Sequence, residues 1–418
     1  MKIASCILAL AAAASVQFAT VAEARPGPHV PHVPRQHPSV APTPVVPANV
    51  HFAPAGTIPL PGRGLALAWA PDGSAIAAGG HFKDPATGQR YDTRVLDIPS
   101  ATLRPASFDC HYWWVVALAW EDNPFIGPVI ADGAGDHSVK LWDADGPGGT
   151  TCKPGQFRAA NGGVAAFYDI NGWVTSLAFS PDGRFLAATS RDRTVRLWQI
   201  APGPDQWKVV KLWYDAAAGN YLSVRWSPDG SRLLTGDRRG RISEWAFDPD
   251  HDLWDADTIA AFAKLGWKQH ASFFGNNAAM LAPTPLWSDG GHKEVWNVRY
   301  APDGTRVAAG GADGLSVLES GTGKVVYRRA MPALLGLDWS PDGAYIAAGA
   351  ADRRIYVVRA GDGTMFDWLE GHGEKVTAVA FSRDGGTLAS TAGGPLLNFE
   401  LNEVVHGPDD SVHLWRWR

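Results

Sequence analysis

Arginines and aromatics gathered around short turns are the residues of this chain best suited to chemistry. Arg191 and Arg193, Arg238, Arg239 and Arg241, and Arg353 and Arg354 stand in three tight turns. A guanidinium fork suits carboxylates and phosphates, so these turns could receive an acidic partner. Charged residues are also ordinary at exposed turns, and a solvated rim is the plainer reading. Tyr112, Trp113, Trp114, Trp173, Tyr221 and Trp296 lie at the starts of short apolar runs. Tryptophan, tyrosine and arginine dominate interface energetics, although the same rings can wedge packed sheets together. A third set is Arg225, Arg299 and Asp338, each one residue before an aromatic that ends such a run. Buried charges need partners, so an Arg299–Asp338 ion pair beside Arg225 competes with a pocket for an anion or other small ligand.

Catalytic constellations are missing. The chain has no glycine-flanked serine elbow, no His-Glu-x-x-His pair, no phosphate loop and no CxxC pair. Neither a metal nor a cofactor is expected, and an enzyme is the lesser reading. His29 and His32 are three apart in a proline-dense stretch, where a weak Cu or Zn contact competes with a simple solvated spacer. A formal charge of −5 over 418 residues supplies no basic face for nucleic acid.

The N-terminal segment reads as processing signal and tether. Lys2, the apolar run Ile3 to Val16 and the small-x-small Ala22-Glu23-Ala24 suggest a signal peptide over 1–24. Residues 25–49 are rich in proline and histidine and read as an extended, disordered linker. The run is too short to span a bilayer, and no later segment is long enough. These features predict an exported protein, periplasmic or secreted. Removal of 1–24 leaves Cys110 and Cys152, an even pair that suggests a disulfide in an oxidising compartment.

The elements that must position these side chains are repeats. A short apolar strand ending in an aromatic, a Pro-Asp-Gly turn and a second apolar strand recur along the chain. The turns are Pro71-Asp72-Gly73, Pro181-Asp182-Gly183, Pro228-Asp229-Gly230, Pro302-Asp303-Gly304 and Pro341-Asp342-Gly343, with Arg383-Asp384-Gly385 as a variant. A degenerate copy, Val115–Trp120 before Glu121-Asp122-Asn123, makes seven. Proline pre-sets the first turn position, aspartate caps the backbone and glycine accepts positive φ. Strands apolar on both faces suit sheets covered on both sides. In repeat order, the residue before the strand-ending aromatic is Ala68, Ala119, Ala178, Arg225, Arg299, Asp338 and Ala380.

From about Val50 to Arg418 the chain resembles the WD40-repeat family of seven-bladed β-propellers, and it is expected to be an exported bacterial member. Ser190 to Trp198, with Asp192 and Trp198, is similar to that family's turn and third strand, as are Gly135 to Asp143 and Asp410 to Trp415. Gly371-His372 before Val376 resembles its glycine-histidine pair. The resemblance implies an all-β fold: a seven-bladed propeller of four-stranded antiparallel blades over 50–418, closed by an N-terminal strand. A buried network of His372, Ser390, Asp410 and Trp415 is implied in the last blade. Repeats one, five and six carry Leu96, Leu318 and Val358 in place of the tryptophan.

Departures from the repeat are where function is sought. Residues 248–291 form an insertion with a short helix, read as capped by Asp257 and stopped by Gly266. Expansions at 80–93 and 393–410 fall in ring-neighbouring blades, and Leu397, Phe399 and Leu401 alternate there as an extra strand. The resemblance implies that these loops, the arginine turns and the aromatics share one face. The leading expectation is a monomeric, non-catalytic platform for a protein partner, with no nucleic acid bound. The partner-binding set is Trp113, Trp114, Trp173, Arg191, Arg193, Arg238, Arg239, Trp296, Arg353, Leu397, Phe399 and Leu401. The alternative is a propeller enzyme or a small-ligand or anion binder at the central channel.

Overall fold

The Pro-Asp-Gly tripeptides form the turns their chemistry demands. Gly73, Gly183, Gly230, Gly304, Gly343 and Gly385 all sit at φ between +70° and +74°, where a side chain is strained. In the third repeat, Gly183 N donates to Ser180 O at 2.8 Å. Asp182 accepts from Ser180 Oγ at 2.6 Å and from Arg184 N at 3.0 Å. Each such turn joins the first two strands of a blade, six of the seven in the ring.

The computed structural model describes residues 51–417 except 84–89, 109, 147–162, 169, 201–208, 216–217, 264–281 and 394–408. The expected signal peptide and linker therefore lie outside the described residues, as do Leu397, Phe399 and Leu401. Strand β1 (Phe52–Pro59) comes first. Blade one is β2 (Gly64–Trp69), β3 (Ala75–Lys83), β4 (Arg90–Asp97) and β5 (Thr102–Phe108). Blade two is β6 (Val115–Asn123), β7 (Gly127–Ala134), β8 (Val139–Asp143) and β9 (Gly163–Phe167). Blade three is β10 (Val174–Phe179), β11 (Phe185–Ser190), β12 (Thr194–Gln199) and β13 (Val209–Tyr214). Blade four is β14 (Tyr221–Trp226), β15 (Arg232–Asp237), β16 (Ile242–Ala246) and, beyond helix α1 (Ala256–Ala263), β17 (Trp287–Asp289). Blade five is β18 (Val295–Tyr300), β19 (Arg306–Gly311), β20 (Gly314–Glu319) and β21 (Val325–Ala330). Blade six is β22 (Leu334–Trp339), β23 (Tyr345–Ala350), β24 (Ile355–Arg359) and β25 (Met365–Leu369). Blade seven is β26 (Val376–Phe381), β27 (Thr387–Ala392) and β28 (Ser411–Trp417), completed by β1.

The ring closes through its ends. β1 pairs antiparallel with β28 from Phe52 opposite Trp417 to Pro59 opposite Ser411. Across the seam, Trp69 Nε1 donates to Ala380 O at 2.9 Å and Thr377 Oγ1 to Gly64 O at 2.9 Å. This pairing covers the outer edge of β28 and leaves each blade only a short outer edge. The core runs between blades. Trp142, Trp198, Trp245 and Trp415 on third strands are fully buried, and Leu96, Leu318 and Val358 fill the same place elsewhere. Each buried indole removes roughly 200 Å² from water, about 5 kcal/mol of transfer energy before entropic costs.

Two local readings are corrected by the structure. Glu121-Asp122-Asn123 is strand, paired through Asn123 opposite Gly127, and the turn falls at 124–126. Without proline and glycine at 121–123 nothing breaks the ladder there, and Asn123 Oδ1 caps the later turn through Phe125 N at 2.9 Å. Helix α1 is capped by Asp255, whose Oδ1 accepts from Thr258 N at 2.7 Å, rather than by Asp257, which lies in its first turn. Gly266 lies outside the described residues. The insertion lies inside blade four, between its third and outer strands, and braces blade three: Trp254 N donates to Val210 O at 2.9 Å.

A further regularity is invisible in the sequence. Every inner strand carries a β-bulge just after its first residue, where register shifts against the second strand. A bulge re-aims side chains and sharpens twist. Here it sits at the end of each inner strand nearest the arginine turns.

Candidate interaction face

Antiparallel order puts the second-to-third-strand turns and the entries to the inner strands at the same end of every blade. The arginine turns and the aromatics therefore meet on one face. Asp192 holds the blade-three turn: its carboxylate accepts from Thr194 N at 3.1 Å and from buried Arg196 Nη2 at 2.9 Å. That turn places Arg193 at φ 65°, and the blade-six turn places Arg353 at φ 76°. These are left-handed positions at the turn tips, with Arg193 half-buried and Arg353 exposed.

A continuous arc crosses blades two to five. The Trp113 and Trp173 rings stand 5.9 Å apart, and the Arg191 guanidinium lies 4.4 Å over the Trp173 ring. Gly135 makes room for Trp113, since a Cβ there would meet the indole at 2.2 Å. The charge on Arg191 is disfavoured first by burial and then by Arg238 of the next blade. Arg238 pairs in turn with Glu294 Oε1 at 3.3 Å, and Trp296 Nε1 donates to Glu294 Oε2 at 2.8 Å. Trp114 is half-buried, while Arg239 is exposed beside Arg238. Arg353 is exposed in the blade-six turn. Tyr221, grouped with these aromatics by sequence, is a core residue at 1% exposure, because it starts an inner strand that faces the blade-three sheet.

The channel residues share one level. Arg225, Arg299 and Asp338 occupy the same register on their inner strands as Ala68, Ala119, Ala178 and Ala380 in the other four blades. Arg299 Nε lies 3.6 Å from Asp338 Oδ1, and Asp338 Oδ2 accepts from Phe381 N at 2.8 Å. Arg225 Nη1 donates to Val224 O at 2.6 Å, Ser176 Oγ at 2.9 Å and Leu177 O at 3.2 Å. Burial raises the Asp338 carboxyl above its usual range against the pull of Arg299.

The blade-seven network uses Asp409, not Asp410. His372 Nδ1 meets Asp409 Oδ2 at 2.5 Å, and Nε2 meets Ser390 Oγ at 2.7 Å. Trp415 Nε1 donates to the same Ser390 Oγ at 2.8 Å. Asp410 instead offers its backbone carbonyl to Leu60 N at 2.8 Å. Neighbouring aspartates point to opposite sides of an extended chain, so sequence order could not choose between them. His413 stacks on His372 with centroids 4.0 Å apart, and its Nε2 lies 3.2 Å from Asp409. These three side chains form the one cluster among the described residues with the donor set for a metal. In blade three, Asp192 serves Arg196 instead, and among the described residues the Trp198 indole N–H has no acceptor, because Ala188 stands where a hydroxyl would be.

A second network was not foreseen. In blade two, His111 Nε2 lies 3.0 Å from Asp132 Oδ1 and its Nδ1 lies 3.0 Å from Asp136. Trp142 Nε1 and Thr93 Oγ1 also donate to Asp132, each at 2.9 Å. The signal was the spacing: His111 precedes Val115 by the same four residues that separate His372 from Val376, but a cysteine replaces the glycine before it. That cysteine, Cys110, is buried and disulfide-bonded, whereas Cys152 lies outside the described residues. Glu244 was missed as well. Fully buried, it accepts from Trp287 Nε1, Tyr300 OH, Ser320 Oγ and Gly321 N at 2.6–2.8 Å, latching blade four to blade five.

With this geometry in hand, the family described as WD domain, G-beta repeat matches residues 166–199, 283–315, 331–358 and 364–416. The chain carries WD40 repeats. It is similar to the small ribosomal subunit protein RACK1y of Oryza sativa subsp. japonica, 33% identical over 24% of this chain and 25% of the relative. It is also similar to nuclear distribution protein PAC1 of Arthroderma otae, 31% identical over 23% of this chain and 17% of the relative. The PAC1 of Coccidioides posadasii is 26% identical over 37% and 31%. The matches thus span at most about a third of these relatives' lengths. They are WD-repeat proteins of a plant and of fungi, named for a ribosomal subunit and for nuclear distribution, and on that finding the expected periplasmic or secreted location is corrected. Among the described residues, no helix is long and apolar enough to cross a membrane.

Proposed function

We propose that this chain is a monomeric, non-catalytic WD-repeat platform whose protein partner docks on the face of the second-to-third-strand turns. The observation that carries the reading is the unbroken arc from Trp113 through Trp173, Arg191 and Arg238 to Glu294 and Trp296. Indole and guanidinium groups held in place by each other lose little entropy on binding, as interface anchors require. Arg193, Arg239 and Arg353 extend the arc toward its rim. The names of the relatives, a ribosomal subunit protein and nuclear distribution proteins, fit work within larger assemblies.

The test is site-specific photo-cross-linking. Cross-linkers at Arg193 and Arg353 should capture a discrete partner, while one at Asp303 on the opposite face should not. Trp173→Ala should weaken the contact by roughly 2 kcal/mol, about 30-fold, as removal of an interface anchor does. Equal capture from Asp303, or capture indifferent to Trp173→Ala, rules the face out.

A further inference from the structure

The polar belt around the channel is unbalanced. Two guanidinium groups face one carboxylate at a single level, and that carboxylate is partly engaged by the Phe381 amide. Arg225 uses Nη1 for all three of its hydrogen bonds. Its Nε and Nη2 have no acceptor among the described residues. Arg299 donates Nη1 to Val298 O at 3.0 Å and faces Asp338 only at 3.6 Å, leaving Nη2 without an acceptor there. The side chains of Arg299 and Asp338 are 20% and 26% exposed, so solutes in the channel reach them. The other four blades place only alanine at this level and so add no charge to it. A low-dielectric bore with excess positive charge concentrates anions.

We propose that the central channel holds a binding site for a small oxyanion of the phosphate class, gripped by Arg225 and Arg299. The free Nη2 of each arginine and Nε of Arg225 supply donors along one side of the ion. Two guanidinium groups with unused donors at one level suit the several acceptors of a tetrahedral oxyanion better than the single charge of chloride. Asp338 limits the affinity by repelling the ion. The site is separate from the interaction face and does not depend on that reading.

Thermal unfolding of the full chain with inorganic phosphate, at constant ionic strength made up with chloride, tests this. A saturable rise in Tm is expected with phosphate and a much smaller one with chloride alone. Arg299→Met should weaken the phosphate midpoint at least about tenfold, the loss of one charge-assisted contact. Asp338→Asn should tighten it about threefold or more by removing a like charge. Trp173→Ala should leave it unchanged. If Arg299→Met does not fold, Asp338→Asn alone decides. No saturable rise, a midpoint indifferent to Arg299→Met, or weaker binding in Asp338→Asn would overturn the site.

Discussion

Blades two and seven build the same constellation around histidines of different charge. Both set a histidine at the entry to the inner strand, an aspartate in the second turn and a tryptophan on the third strand. Between histidine and tryptophan, blade seven has Ser390 and blade two has Asp132, at equivalent registers. Ser390 is neutral, so burial dominates and pushes His372 below its usual range although Asp409 pulls upward. Burial and Lys140 also oppose a charge on His111, yet Asp132 and Asp136 on its two nitrogens carry it up to about 9. Lys140 Nζ lies 2.9 Å from His111 Nδ1, and burial pushes it below its usual range. Asp132 in place of a serine thus favours the imidazolium in blade two, within a geometry the two blades share. The repeat supplies positions, and the residue at one of them supplies the charge.

The strongest way to break this contrast is to delete its central acceptors. Asp132→Ala strands a buried imidazolium and two further donors, and should cost about 3–5 kcal/mol in urea unfolding. Ser390→Ala loses neutral hydrogen bonds and should cost about 1–2 kcal/mol. Equal costs would show that charge is not the difference.

The pH dependence gives a smaller effect with two signs. A His111 raised to about 9 contributes stability that is complete below its unfolded value of 6.5 and is lost as pH climbs through 9. The change is on the order of 2 kcal/mol, because Lys140 is itself depressed and offsets part of it. The depressed His372 acts in the other direction: its contribution is complete above 6.5 and is lost as pH falls below it. His111→Asn should flatten the alkaline limb of stability against pH, and His372→Asn the acid limb. A profile with both limbs intact in His111→Asn would refute the assignment.

The smallest effect sharpens the comparison. His413 stands where blade two has Lys140 and blade three has Arg196, each two residues before its tryptophan. His413→Lys would set a permanent cation beside Asp409. Stability should change by no more than about 1 kcal/mol, and the His372 imidazole resonances should titrate at still lower pH.

Much of the propeller was legible in the sequence, because its determinants are local. A Pro-Asp-Gly turn, an apolar strand of five or six residues and a third-strand tryptophan each act within a dozen residues, and their recurrence counts the blades. The alanine, arginine and aspartate series along the inner strands was likewise visible, since equivalent positions share a level. What joins residues from different strands and blades was not. Asp409 rather than Asp410, the acidic network around His111, the Glu244 latch, the bulge in every inner strand and the stacking of Arg191 on Trp173 each depend on where two or more segments meet. The arginine turns showed the same limit: the family resemblance implied one shared face, but only the fold laid Arg191 on an indole and paired Arg238 with Glu294. Side-chain partners are set by the direction in which an extended chain presents each residue and by what the neighbouring blade offers, and both are properties of the closed ring.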